Sequence, residues 1–222
     1  MSLHKYKCRE VVGLLGGSFN PAHAGHVCIS LMAIRALALD EVWWLVSPQN
    51  PLKSVTGMAP LHWRLAQAHR MTAHCRCISV LDLEARLGTR YSVDIVSRLR
   101  QREPYRCFVW LMGADNLAQV SFWWQWPRLF HLVPVAILAR YPYSLRALAS
   151  VAARRFARWR VFPGQAHTLV RRQPPVWVFL PTPSHPDSAT QIRAVSGIWW
   201  EQIEKEADYS ADVCDSLSVQ SR

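Results

Sequence analysis

Two histidines three residues apart, just behind a pair of glycines, are the first groups in this chain equipped for chemistry. The segment reads Gly16-Gly17-Ser18-Phe19-Asn20-Pro21-Ala22-His23-Ala24-Gly25-His26. Paired glycines let the backbone bend sharply and let a ligand approach the main chain closely. The apolar run Val11–Leu15 in front of them reads as a buried strand, and the pattern behind predicts a helix over Gly25–Leu39. A helix start offers unpaired N–H groups and the positive end of a dipole, which suits phosphate. His23 and His26, near that start, can face one anion, and Gly25 between them leaves room for a base or a phosphate against the backbone. Neither the G-x-x-x-x-G-K-[ST] loop nor the G-x-G-x-x-G fingerprint occurs, so the two commonest phosphate-binding motifs are excluded.

The elements that would hold this segment follow from hydropathy. Further strands are expected at Glu41–Ser47, Cys77–Leu81, Arg106–Met112, Val133–Ala139 and Val176–Leu180. Helices are expected at Leu61–His74, with Pro60 before it, and at Ser92–Arg102, Ser144–Arg158 and Thr190–Lys205. Continuous apolar strands alternating with helices imply a parallel sheet covered on both faces. The expected architecture is therefore α/β: a doubly wound, Rossmann-like parallel sheet forming a single domain over 9–206. Residues 207–222 are polar, lack apolar periodicity and read as a disordered tail. Two polar loops, Pro48–Pro60 and Pro181–Asp187, leave the carboxyl ends of strands, where open α/β sheets place their sites.

Composition narrows the class. The 222 residues are half hydrophobic and 18% charged, which fits a globular domain and excludes a disordered or fibrous chain. No run of 18 apolar residues is free of charge and proline, and the N-terminus lacks a signal-peptide core, so no membrane span and a cytoplasmic location are expected. The six cysteines are scattered and complete no zinc site, and they are expected to be reduced and mostly buried. The net charge of +11 comes mainly from arginine and favours anionic partners without choosing among them.

The glycine–histidine segment resembles the H-x-G-H signature of the nucleotidyltransferase superfamily. Further matches follow in order along the chain. Asn50-Pro51-Leu52-Lys53 resembles the basic loop after the second strand. Arg90-Tyr91-Ser92-Val93-Asp94 resembles the Y-[ST] segment that opens a helix, with serine for the commoner threonine. Leu111-Met112-Gly113-Ala114-Asp115-Asn116-Leu117 resembles an M-G-x-D-x-L strand end, and Trp123-x-x-Trp126 the aromatic segment after it. Ser188-Ala189-Thr190-Gln191-Ile192-Arg193 resembles the second signature, [ST]-[SA]-T-x-I-R. Together they are similar to the bacterial nicotinate-nucleotide adenylyltransferases.

That resemblance implies transfer of an adenylyl group from ATP to nicotinate mononucleotide, giving nicotinate adenine dinucleotide and pyrophosphate in NAD biosynthesis. It implies catalytic roles for His23, His26 and Arg193. ATP contacts are implied for Gly16, Gly17, Ser18, Phe19, His23, Gly25, His26, Gly113, Asp115, Ser188, Thr190 and Arg193. Acceptor contacts are implied for Asn20, Lys53, Tyr91, Ser92, Asp115 and Trp123, with Trp123 stacking on the pyridine ring. No carboxylate pair is dedicated to a metal, so Mg²⁺ is expected to arrive with ATP and keep several waters.

Other readings stay open at single positions. Asp115 and Ser92 also read as helix N-caps, and Trp126 as packing. The same catalytic end would serve nicotinamide mononucleotide or phosphopantetheine as acceptor. A different class altogether is a nucleic-acid module using Arg154, Arg155, Arg158, Arg160, Arg171 and Arg172 with Phe156 and Trp159 interleaved. The bland alternative for that stretch is a solvated helix face, and no nucleic-acid or membrane partner is expected.

Overall fold

The computed structural model describes residues 8–48, 57–139, 144–182 and 189. Lys53, Ser188, Thr190 and Arg193, the helix expected at Thr190–Lys205 and the tail at 207–222 lie outside the described residues.

Seven strands form one sheet: β1 (Glu10–Gly17), β2 (Glu41–Val46), β3 (Ile78–Leu81), β4 (Arg106–Gly113), β5 (Val135–Ala139), β6 (Arg160–Val161) and β7 (Trp177–Pro181). Their order is β3-β2-β1-β4-β5-β7-β6, with every pairing parallel. The chain winds outward from β1 through β2 to β3, then returns to β4 on the other side of β1. That reversal puts a crevice between the carboxyl ends of β1 and β4. The helices are α1 (Ala24–Leu37), α2 (Leu61–Thr72), α3 (Leu83–Leu87), α4 (Ser92–Arg102), α5 (Ala114–Gln119), α6 (Trp126–Leu132), α7 (Ser144–Leu148) and α8 (Val151–Arg155).

Strand alternation divides the core in two. Val12 and Leu14 of β1, with Phe108, Trp110 and Met112 of β4, face α4, α5, α6 and α8. Leu15, with Val109 and Leu111 of β4, faces α1, α2 and the 3₁₀ segment Pro163–Arg171. Gly13 has no room for a side chain, because a Cβ there would lie 2.7 Å from Leu39 and 2.8 Å from Leu111. Among the described residues no helix is long and apolar enough to cross a membrane.

Several expectations need correction. The single helix expected over Ser144–Arg158 is broken into α7, α8 and a 3₁₀ turn at Ala157–Trp159. The break has a local cause: Ser150 Oγ accepts from the Ala153 N–H at 3.2 Å and caps α8, an alternative to continuing the helix. Helices α3, α5 and α6 and strand β6 were not expected, since elements of two to seven residues are too short for periodicity to show. Ser92 does not cap α4; Tyr91 is the cap residue and Ser92 the first helical one. Asp115 is likewise no N-cap, because Gly113 holds that place in α5. The cysteines are not all thiols: Cys8 and Cys107 are joined as a disulfide. Nor are the free ones among the described residues buried, since Cys28, Cys75 and Cys77 are all partly exposed.

Candidate active site

The glycine–histidine segment turns from β1 into α1 at the carboxyl edge of the sheet. Phe19 adopts a left-handed backbone with φ of 46°, a conformation that costs a non-glycine residue free energy and persists only when its surroundings enforce it. Here they do. The Phe19 ring is buried, stacked on Trp44 at 4.8 Å and tilted against His26 at 4.9 Å.

His23 is the N-cap of α1 and His26 the third residue of its first turn. Nδ1 of His23 accepts from the Gly25 N–H at 3.1 Å, and Nδ1 of His26 accepts from the His23 N–H at 3.3 Å. The rings lie 3.9 Å apart. A neutral imidazole whose Nδ1 accepts must carry its proton on Nε2. Both rings are therefore set as Nε2–H donors at a helix start that already favours anions.

One buried arginine fixes the surrounding loops. Arg64 of α2 is 1% exposed, and its guanidinium donates to four carbonyl oxygens. These are Ser18 at 2.6 Å, Ser47 at 2.7 Å, Pro48 at 2.8 Å and Ala59 at 2.9 Å. The turn after β1 and both ends of the β2–α2 connection thus meet at one side chain. Burial lowers the Arg64 pKa, and the charge of Glu84 works against that shift. Asn20 ties the same region together: its amide donates to the Gly57 carbonyl and accepts from the Ala59 N–H, each at 3.0 Å.

A cavity of about 430 Å³ opens beside Gly16 and Gly17, on the α4 side of the sheet. Ser47 and Glu84 meet in its wall, where the Ser47 hydroxyl donates to Glu84 at 2.8 Å. Burial pushes the Glu84 carboxyl up to about 7, against the opposing pull of the Ser47 hydrogen bond and the Arg64 charge. The opening turn of α4 contributes Tyr91, Ser92 and Val93. Thr89 braces that turn, accepting from the Tyr91 N–H at 3.3 Å and donating to Asp94 at 3.0 Å. Trp123 and Trp126 line the cavity while packing on the core, and the exposed Trp124 ring sits 5.8 Å from that of Tyr91.

The expected site residues thus fall into groups. Gly16 and Gly17 bridge the signature turn and the cavity, which Tyr91, Ser92 and Trp123 share. Ser18, Phe19, His23, Gly25 and His26 form the turn itself. Gly113 and Asp115 lie where β4 passes into α5, and a Cβ at Gly113 would collide with the Asp115 carboxylate. The sequence reading missed Arg64, Glu84, Ser47, Arg90, Trp110 and Asn116. Of these Arg64 left a signal: it recurs with Ala68 and Thr72 on the buried face of α2, where a lone charge needs partners. Among the described residues no group of three or more His, Cys, Asp or Glu lies together as a metal cage. In the arginine-rich stretch the interleaved aromatics are packed inward, Phe156 being 1% exposed and stacked on Phe130 at 4.5 Å.

The cytidylyltransferase-like family model matches residues 14–195. The probable nicotinate-nucleotide adenylyltransferase of Cereibacter sphaeroides is 53% identical over 189 residues, covering 85% of this chain and 99% of the relative. That of Parvibaculum lavamentivorans is 50% identical over 186 residues, covering 84% and 92%. Among solved structures, the Plasmodium falciparum nicotinic acid mononucleotide adenylyltransferase complexed with NaAD superposes with a TM-score of 0.62 at 15% identity, over 83% of each chain. At that identity the likeness concerns the fold.

Proposed function

The chain belongs to the cytidylyltransferase-like family, among the bacterial nicotinate-nucleotide adenylyltransferases, and from that premise we propose how its residues carry out the reaction. The 5′-phosphate of nicotinate mononucleotide attacks the α-phosphorus of ATP. The bond from that phosphorus to the bridging oxygen of the β-phosphate breaks, and pyrophosphate leaves with the electron pair. The products are nicotinate adenine dinucleotide and pyrophosphate, a step of NAD biosynthesis in the cytoplasm.

Such a transfer asks a protein for alignment and charge stabilisation more than for a nucleophile. The observation that carries the assignment is the pair of imidazoles, His23 and His26, whose Nδ1 atoms cap the helix start that follows the cavity-lining Gly16 and Gly17. They bind the phosphate oxygens as charge moves toward the leaving group. Arg193 and Lys53, assigned on family resemblance alone, add positive charge to the triphosphate. Ser188 and Thr190 join the ATP contacts on the same basis, and Asp115 takes nucleotide hydroxyls. The cavity takes the nicotinate end. Trp123 stacks on the pyridine ring, and the Ser92 hydroxyl with the first N–H groups of α4 meets the ring carboxylate.

None of the described side chains is grouped to cage a metal ion, so a magnesium ion would be carried in by ATP. It supplies charge neutralisation on the phosphates when bound.

The test is pyrophosphate release from ATP with nicotinate mononucleotide, nicotinamide mononucleotide or phosphopantetheine as acceptor. The acid is expected to be the best acceptor. Turnover with phosphopantetheine alone would overturn the assignment of the cavity.

A further inference from the structure

The cavity wall holds a buried indole N–H that the reaction as described leaves unused. Trp110 of β4 is 2% exposed and lines the cavity, and its indole N–H has no acceptor among the described residues. Buried indoles elsewhere in the sheet do find partners. Trp43 donates to Glu41 at 2.8 Å, Trp44 to Ser30 at 2.9 Å and Trp177 to the Phe156 carbonyl at 2.7 Å. A buried N–H left unpaired carries its full desolvation penalty, so the exception calls for a partner that arrives later.

Gly16 shows where that partner enters. A Cβ at Gly16 would fall 3.1 Å from Cη2 and 3.2 Å from Cζ2 of Trp110. The indole nitrogen lies on that same side of the ring system, two bonds from Cζ2 through Cε2. Gly16 also lines the cavity, so no side chain at that position covers this edge of the ring.

We propose that the Trp110 N–H donates to the ring carboxylate of nicotinate mononucleotide, making Trp110 a specificity-determining residue. The proposal rests on the reading that this cavity takes the nicotinate end. Its logic is a count of donors and acceptors. A carboxylate offers two oxygens that only accept, whereas a carboxamide offers one oxygen and an NH₂ with two donors. Ser92 and the first turn of α4 already present donors to the cavity. A further donor from the opposite wall, on β4, leaves no orientation in which the amide NH₂ avoids facing a donor. The acid satisfies all of them.

The decisive substitution replaces Trp110 with benzothienylalanine, which keeps the ring size and exchanges the N–H for sulfur. Trp110→Phe is the genetically simple companion. In the benzothienyl protein, kcat/KM for nicotinate mononucleotide should fall roughly tenfold or more, the scale of losing one buried donor, while that for the amide changes little. Tm should hold or rise, since an orphan donor has been removed. In protein with ¹⁵N-labelled tryptophan, the Trp110 indole N–H resonance should move when nicotinate mononucleotide alone is added. Equal losses for acid and amide would overturn the proposal, because the N–H would then serve a group both nucleotides share. Unchanged kinetics for both would overturn it as well. Either result, with a wild type that prefers the acid, sinks this inference alone. A wild type that releases no pyrophosphate with the acid sinks the reading of the cavity and this inference with it.

Discussion

The main-chain N–H of His23 donates to Nδ1 of His26 at 3.3 Å, so the two signature histidines are partners before any ligand arrives. Each ring has a structural job, with Nδ1 capping the helix, and on the proposed mechanism a second one, with Nε2–H donating to phosphate. The jobs separate by substitution. His26→Ala removes both, whereas His26→Asn keeps an acceptor near the Nδ1 position and removes the outward donor. Both should lower kcat about 10²-fold or more, the scale of losing one preorganised transition-state donor. The alanine protein alone should lose about 1 kcal/mol of helix capping, or roughly 2–4 °C in Tm for a chain of this size. Near-normal turnover in a folded His26→Asn protein would refute the catalytic role.

Arg64 makes a second prediction. It is buried against four carbonyl oxygens from two connections, β1–α1 and β2–α2, so Arg64→Met strands all of them at once. The loss should be about 3 kcal/mol or more, the range seen when one side of a buried charged network is removed. Thermal unfolding of the variant measures it. A Tm within 2 °C of wild type would mean that water replaces the guanidinium without penalty, which conflicts with its burial.

How much of this could be read beforehand depends on the range over which each residue's role is decided. Strand β1, the turn to α1 and the start of α4 at Ser92 were legible because their signals are local: an apolar run, paired glycines, the onset of helical periodicity. The donors and acceptors of the cavity wall were not. Glu84 sits in a five-residue helix too short for periodicity, and its partner Ser47 lies 37 positions away. Trp110 is one of eleven tryptophans, and only the packed sheet separates it from those with acceptors. Asn20 was expected at the acceptor, and its amide also holds the 57–59 segment. Its type was informative, but its partners are set by tertiary structure.

Glu84 gives a pH prediction. Its carboxyl is pushed up to about 7 by burial, from an ordinary value of 4.5. Between these values the folded protein holds a proton that the unfolded chain has lost. This contribution to stability is therefore complete below about pH 4.5 and is lost as pH rises through about 7. Glu84→Gln should flatten that part of the Tm–pH curve. In the cavity, an ionised Glu84 repels the acid substrate and spares the amide. The acid-to-amide ratio of kcat/KM should fall as pH rises through about 7, and the glutamine variant should abolish the trend. Both nucleotides carry the same phosphate, so its titration cancels in the ratio. A wild-type ratio that is flat from about pH 6 to about pH 8 would remove Glu84 from substrate selection.

The opening turn of α4 and the tryptophan across the cavity should fail in different ways. Nicotinate and nicotinamide rings are nearly isosteric, so shape separates them poorly and donors must do it. Ser92, the first residue of α4, lines the cavity with a hydroxyl that can point at the substrate and a backbone N–H at a helix start. An unpaired buried donor costs roughly 1–3 kcal/mol, so two or three facing an amide NH₂ suffice for about a 10²-fold preference for the acid. Ser92→Ala removes one such donor and keeps the backbone, so it should lower kcat/KM for the acid and narrow the gap by about tenfold. Trp123→Ala removes a stacking face that both rings use, so it should lower kcat/KM for both nucleotides and leave their ratio nearly unchanged. Steady-state kinetics on the two nucleotides with the two variants decide the matter. If Trp123→Ala changed the ratio while Ser92→Ala spared it, the carboxylate would lie at the tryptophan end of the cavity, and the assignment of α4 as its donor would be wrong.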